Sequence, residues 1–232
     1  MATVASLLWL YCLTIFPFTV CLTLTATLVL CNVVFNETSI DDKPHWIFEL
    51  NSDGGYVYFV VGFALIFVQL LVVLLGRIQY LFQSQMIVRR NVLLINHLFG
   101  FIGLIFMLIM SCIKINDHRT ILIVCVLGML ICLIEYCCHH TIVIIYLYVY
   151  REDAPQHSNI FYPIWFVICS LLILVVLVVW LITGEYILGY CSFASPFLYF
   201  LGFVPQYCSR ARGRKRDSVA PTPIFFKTNS DV

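Results

Sequence analysis

Polar and charged positions along this chain fall in short clusters. The runs between them stay apolar for about 20 residues, the length that crosses roughly 30 Å of hydrocarbon at 1.5 Å per residue. Backbone groups in lipid must be satisfied within their own segment, so each run predicts a helix. Six spans follow, at about 8–32, 56–76, 92–112, 121–145, 160–183 and 186–204. They make 1–206 one all-α membrane domain, a six-transmembrane-helix bundle. Pro17, between Phe16 and Phe18, and Pro196 read as kinks rather than ends, because neighbouring helices can satisfy the backbone groups that a proline frees. The first run carries no charge from Met1 to Phe35. It reads as an uncleaved span. The rival is a signal peptide, which wants a basic start and a shorter apolar core, and whose cleavage would leave five spans.

The polar clusters set the expected topology. Residues 36–55 carry Glu37, Asp41, Asp42, Glu49 and Asp53 against the single Lys43, which predicts a lumenal or extracellular loop. Asn36-Glu37-Thr38 is an N-glycosylation pattern usable only on that side. Arg77 to Asn91 holds Arg77, Arg89 and Arg90 with no acid and reads as a cytoplasmic loop. Six spans with this asymmetry put both termini in the cytoplasm. Residues 207–232 read as a disordered tail whose composition cannot build a core. Its basic block, Arg210, Arg212, Arg214, Lys215 and Arg216, is a candidate contact for anionic lipid headgroups, at about 1 kcal/mol per residue near the surface. It serves equally as a topology determinant. The ending Ser230-Asp231-Val232 has the form captured by PDZ domains, with Ser230 and Val232 as the residues read.

Composition narrows the class. At 62% hydrophobic and 11% charged, with a mean hydropathy of +0.99, the chain is not a water-soluble domain. A net charge of +1 gives no basis for nucleic-acid binding; the expected partner is the bilayer itself. Nearly all of the eleven cysteines lie in apolar runs and none lies in 36–55, which excludes a disulfide-stapled extracellular domain. They read as small apolar fillers, with Cys208 and Cys138 as positions open to palmitoylation. Tyr146, Tyr148 and Tyr150 read as an interfacial aromatic belt.

The candidate chemistry sits in the fourth span, where Glu135, Cys137, Cys138, His139 and His140 interrupt an apolar run. Intramembrane ionisable residues are candidates for function by default. Glu135 and His139, four apart, share a helix face, while His140 points about 100° away from His139. His97, early in the third span, is expected at a depth similar to His139 or His140. A cluster of His97, Glu135, His139 and His140 has the donors to hold zinc or relay a proton. Its alternative role is interhelical hydrogen bonding that fixes the bundle. The adjacent Cys137 and Cys138 are no CxxC pair, and neither an HExxH spacing nor a nucleophile-base motif is present. No catalytic residue, metal ligand or cofactor is therefore assigned.

With these features the chain resembles the DRAM family, the damage-regulated autophagy modulators, whose superfamily includes the GPI-anchor lipid-remodelling proteins. The resemblance covers the six spans to about Gln206. It rests on Phe16-Pro17-Phe18, on Ser52-Asp53-Gly54-Gly55 closing the acidic loop, on the Arg- and Gln-bearing second loop, on Phe99-Gly100 with Gly103, and on Asp117-His118. The chain departs from relatives in carrying no acidic residue in span six. The resemblance implies a non-enzymatic endomembrane protein, in lysosome, Golgi or endoplasmic reticulum, that modulates autophagy and lysosomal or lipid homeostasis. Two other readings stay open: a membrane-embedded GPI-anchor or other lipid-remodelling factor, and a six-span receptor or channel subunit, the latter compatible with the plasma membrane.

Overall fold

The computed structural model describes residues 2–38, 55–84, 87–150, 152 and 159–209, without the side chains of 2–7, 35–38, 83 and 115–117. Six long helices account for most of them: α1 (Ala2–Thr38), α2 (Tyr56–Leu81), α3 (Arg90–Cys112), α4 (Ile115–Val149), α5 (Phe161–Thr183) and α6 (Tyr186–Tyr199). A 3-10 turn, Phe200–Phe203, and a last helical stretch at 204–209 extend α6. Stretches long and apolar enough to cross a membrane occur in all six, at Leu8–Val34, Tyr56–Leu81, Arg90–Cys112, His118–Val149, Phe161–Thr183 and Tyr186–Ser209. The protein is a multi-pass helical membrane protein.

Each helix packs on its neighbour in sequence, α1 returns to α6, and α4 also touches α6. The bundle therefore closes as a ring, with a further contact between α4 and α6. Large apolar side chains point outward on every helix, among them Ile15 and Leu22 on α1, Leu65 on α2, Ile131 on α4 and Leu171 and Val175 on α5. A lipid environment removes the penalty such a surface would carry in water. Inside, aromatic residues dominate: Phe59, Phe63, Phe166, Phe197, Tyr199, Phe200 and Phe203 are fully buried. Polar side chains stitch α1 to α2, with Trp9 Nε1 donating to Gln79 Oε1 at 3.1 Å and Gln69 Nε2 to Thr23 Oγ1 at 3.3 Å.

Three boundaries depart from the sequence reading, each for a local reason. Helix α1 runs to Thr38, beyond the expected loop start at Asn36, since no proline or glycine interrupts Phe35 to Thr38. Asn36 thus sits in the last turn of a helix rather than in a loop; its side chain lies outside the described residues. Helix α2 continues past Gly76 to Leu81 and takes Arg77 with it. Gly76 does not end the helix; a Cβ there would overlap the Leu13 side chain, so the glycine admits α1 against α2. At the C-terminal end, Gln206 and Tyr207 are 3% and 1% exposed, so the packed bundle reaches beyond the expected tail boundary at 207. In α4 the helix breaks at His118 (φ −145°, ψ 61°), just before the long spanning part.

Candidate functional site

The four residues expected to cluster separate onto two sides of α4. Glu135 and His139 do share a face, with Oε2 and Nδ1 3.7 Å apart, but both are 49% exposed and look outward. The Phe99 ring stacks on His139 at 5.6 Å between centroids. One residue further on, His140 is fully buried. His97 is buried as well, and its Nδ1 lies 2.7 Å from the Leu93 carbonyl, to which it donates. Tyr136 stands between the two buried histidines, edge-on to His97 at 5.6 Å and stacked on His140 at 5.7 Å. Among the described residues no group of three or more His, Cys, Asp or Glu is placed to hold a metal ion.

The centre of the buried side is a residue the sequence reading had assigned to a cytoplasmic loop. Arg77 is fully buried, and its Nε donates to His140 Nε2 at 2.8 Å. Its Nη1 donates to Gln206 Oε1. An arginine in a protein stays charged and can only donate, so His140 must present an unprotonated Nε2. The imidazole is therefore neutral, with its proton on Nδ1. From there it donates to the Tyr199 hydroxyl at 2.7 Å. Tyr199 in turn donates to the Cys137 carbonyl at 3.0 Å, or to Thr141 Oγ1 at 2.9 Å. Thr141 Oγ1 also lies 2.8 Å from both the Cys137 carbonyl and Ser170 Oγ. One chain of hydrogen bonds thus links α2, α4, α5, α6 and the last helical stretch at 204–209.

Aromatic walls make the buried cation tolerable. The Arg77 guanidinium carbon lies 4.5 Å from the Phe203 ring centre and 5.0 Å from that of Tyr80. A desolvated cation over such faces gains about 2 kcal/mol or more. The His140 ring touches Phe166 and Phe203, each at 5.1 Å between centroids. Arg77 lies about 6 Å from the end of α2 and His140 about 14 Å from the end of α4 at 1.5 Å per residue, so the network occupies one half of the bundle's thickness. Among the described residues no carboxylate pairs with Arg77.

A sequence signal for Arg77 was available. Leu70, Val73, Leu74, Arg77 and Leu81 follow the 3- and 4-residue spacing of a single helix face, and the other four are fully buried. Continuing that face past Gly76 points Arg77 inward. Arg210, Arg212, Arg214, Lys215, Arg216, Ser230 and Val232 lie outside the described residues. No protein-family model matches the chain, and no curated protein and no solved structure matches it either.

Proposed function

We propose that this is a non-enzymatic multi-pass protein of the endomembrane system that modulates autophagy and lysosomal or lipid homeostasis, with both termini in the cytoplasm. The observation that carries this reading is the enclosure of the polar core. Arg77, His140, Thr141, Ser170 and Tyr199 are buried, and apart from Arg77 Nη2 their polar side-chain groups bond to one another, to Gln206 or to backbone carbonyls. Such a network holds helices in register and leaves no nucleophile presented with an accessible base. The cellular role rests on the resemblance to the DRAM family. The topology is supported by the contact of Arg77 with Gln206, which brings the end of α2 and the last helical stretch at 204–209 to the same end of the bundle. That end also carries Arg89 and Arg90, both exposed, at the start of α3. Anionic lipids and a PDZ domain are proposed partners of the tail.

A lipid-remodelling activity is the second reading, favoured by the outward Glu135 and His139. They form a carboxylate-imidazole pair on a lipid-facing surface near mid-span. Cells depleted of the protein and rescued with wild type or Glu135→Gln separate the two. The modulator reading expects both to restore autophagic flux with unchanged GPI-anchor lipid composition. A lipid product lost on depletion and regained with wild type but not with a well-folded Glu135→Gln would overturn it in favour of the enzyme.

A further inference from the structure

We infer that the interior of the bundle holds a small monovalent anion beside Arg77. The argument begins with charge. A buried arginine brings a full positive charge into the bundle, and among the described residues only neutral groups, His140 and Gln206, accept from it. Charges inside membrane proteins are almost always paired, because an unpaired ion in a low-dielectric interior is strongly disfavoured.

The second observation is independent of the first and concerns donors. Arg77 Nη2 has no hydrogen-bond partner among the described residues, nor has Gln206 Nε2. The bond from Nη1 to Gln206 Oε1 fixes which end of that amide faces the arginine, since an arginine cannot accept, and leaves the NH2 group as the other end of the same amide. Two orphaned donor groups therefore belong to two side chains that are bonded to each other, and one of the groups is charged. The Tyr136 hydroxyl, on the ring between the two buried histidines, is a further donor without a partner. Asn96 Nδ2 on α3 is another, and with it come two acceptors, Asn96 Oδ1 and His97 Nε2. Water or the tyrosine can serve the acceptors, and a water oxygen can accept from Nη2; neither can balance the charge.

Size and valence follow from the same geometry. Arg77, His97 and Tyr136 are fully buried and Asn96 and Gln206 are 2% and 3% exposed, so the ligand must fit between side chains. A phospholipid headgroup is too large for such a place. One positive charge asks for one negative charge, and a divalent anion would only reverse the imbalance. A halide meets both conditions and can accept from several N–H and O–H donors at once.

The test uses the full chain, purified in detergent, with chloride as the probe. Thermal unfolding is followed as chloride replaces gluconate at constant ionic strength, which removes general salt effects. The expected result is a saturable rise of the unfolding midpoint with chloride, reproduced by bromide. Gln206→Leu should raise the half-saturating chloride concentration at least tenfold. Gln206→Glu, which supplies a carboxylate to Arg77 from within the chain, should be as stable as chloride-bound wild type and indifferent to chloride. This second variant keeps the proposal testable should Gln206→Leu fail to fold. A wild-type midpoint equal in chloride and gluconate would overturn the proposal, as would a Gln206→Glu protein that responds to chloride like wild type. Stabilisation by anionic lipid with no response to halide would overturn the small-anion assignment in favour of a lipid phosphate.

Discussion

His139 and His140 are consecutive in the chain, yet they sit in opposite environments. His139 faces outward with Glu135, half exposed, in an i, i+4 pair 3.7 Å apart on one helix, with the Phe99 ring stacked on the imidazole. His140 is buried and bonded to Arg77 and Tyr199, and through them to α5, α6 and the last helical stretch at 204–209. A rotation of 100° along one helix separates a residue held by one local partner from a residue that ties the bundle together. Ionisable character inside a membrane therefore marks candidates without ranking them; rank comes from what the other helices bring to the same face.

The largest expected effect breaks the inner side of this comparison. His140→Leu leaves the Arg77 charge without its nitrogen acceptor, and the loss should be about 3–5 kcal/mol, as for other buried charges stripped of a partner. The protein should fail to accumulate at normal abundance in cells. Tyr199→Phe removes one hydroxyl shared by His140, Thr141 and the Cys137 carbonyl, and should lower stability by about 1–3 kcal/mol, read from denaturation in detergent. Gly76→Leu acts on the same core from outside. It drives a side chain into Leu13 and shifts the helix segment that carries Arg77, again with a loss of about 1–3 kcal/mol. The outer side should respond least. Glu135→Gln and His139→Gln are expected to change stability by less than about 1 kcal/mol, since the amide keeps hydrogen-bonding capacity and the pair lies within one helix. Abundance of Glu135→Gln equal to wild type, beside depletion of His140→Leu, would be the simplest cellular display of the difference.

The class of fold was legible in the sequence because bilayer thickness imposes a length on every span, and apolar runs of that length stand out without further knowledge. The inner site was only half legible. His97 and His140 could be picked out as buried polar residues in apolar runs, but the two other members of the arginine's environment were hidden by the rules that found the spans. Arg77 follows Gly76 at the end of an apolar run and so satisfied the charge rule for cytoplasmic loops. Gln206 follows Pro205 between the expected end of the last span near 204 and the polar tail from 207, where no apolar spacing points it inward. Both stand at a span boundary, where composition changes and helices nevertheless continue. Glu135 drew attention because it is the only carboxylate in its run, and one-dimensional position cannot say which way a helix turns it. The spacing of Leu70, Val73, Leu74 and Leu81 around Arg77 could say so, because periodicity carries direction where composition does not.

The central claim is that Arg77 and His140 form one unit, and a double-mutant cycle on that pair tests it most directly. Wild type, Arg77→Met, His140→Leu and the double variant are purified and their unfolding is measured under one condition. Removing both polar partners in favour of apolar side chains of similar size is far less damaging than stranding one, so the double variant should be more stable than His140→Leu alone. The coupling should reach about 1–3 kcal/mol. A double variant no more stable than His140→Leu, with the two single losses simply adding, would contradict the account.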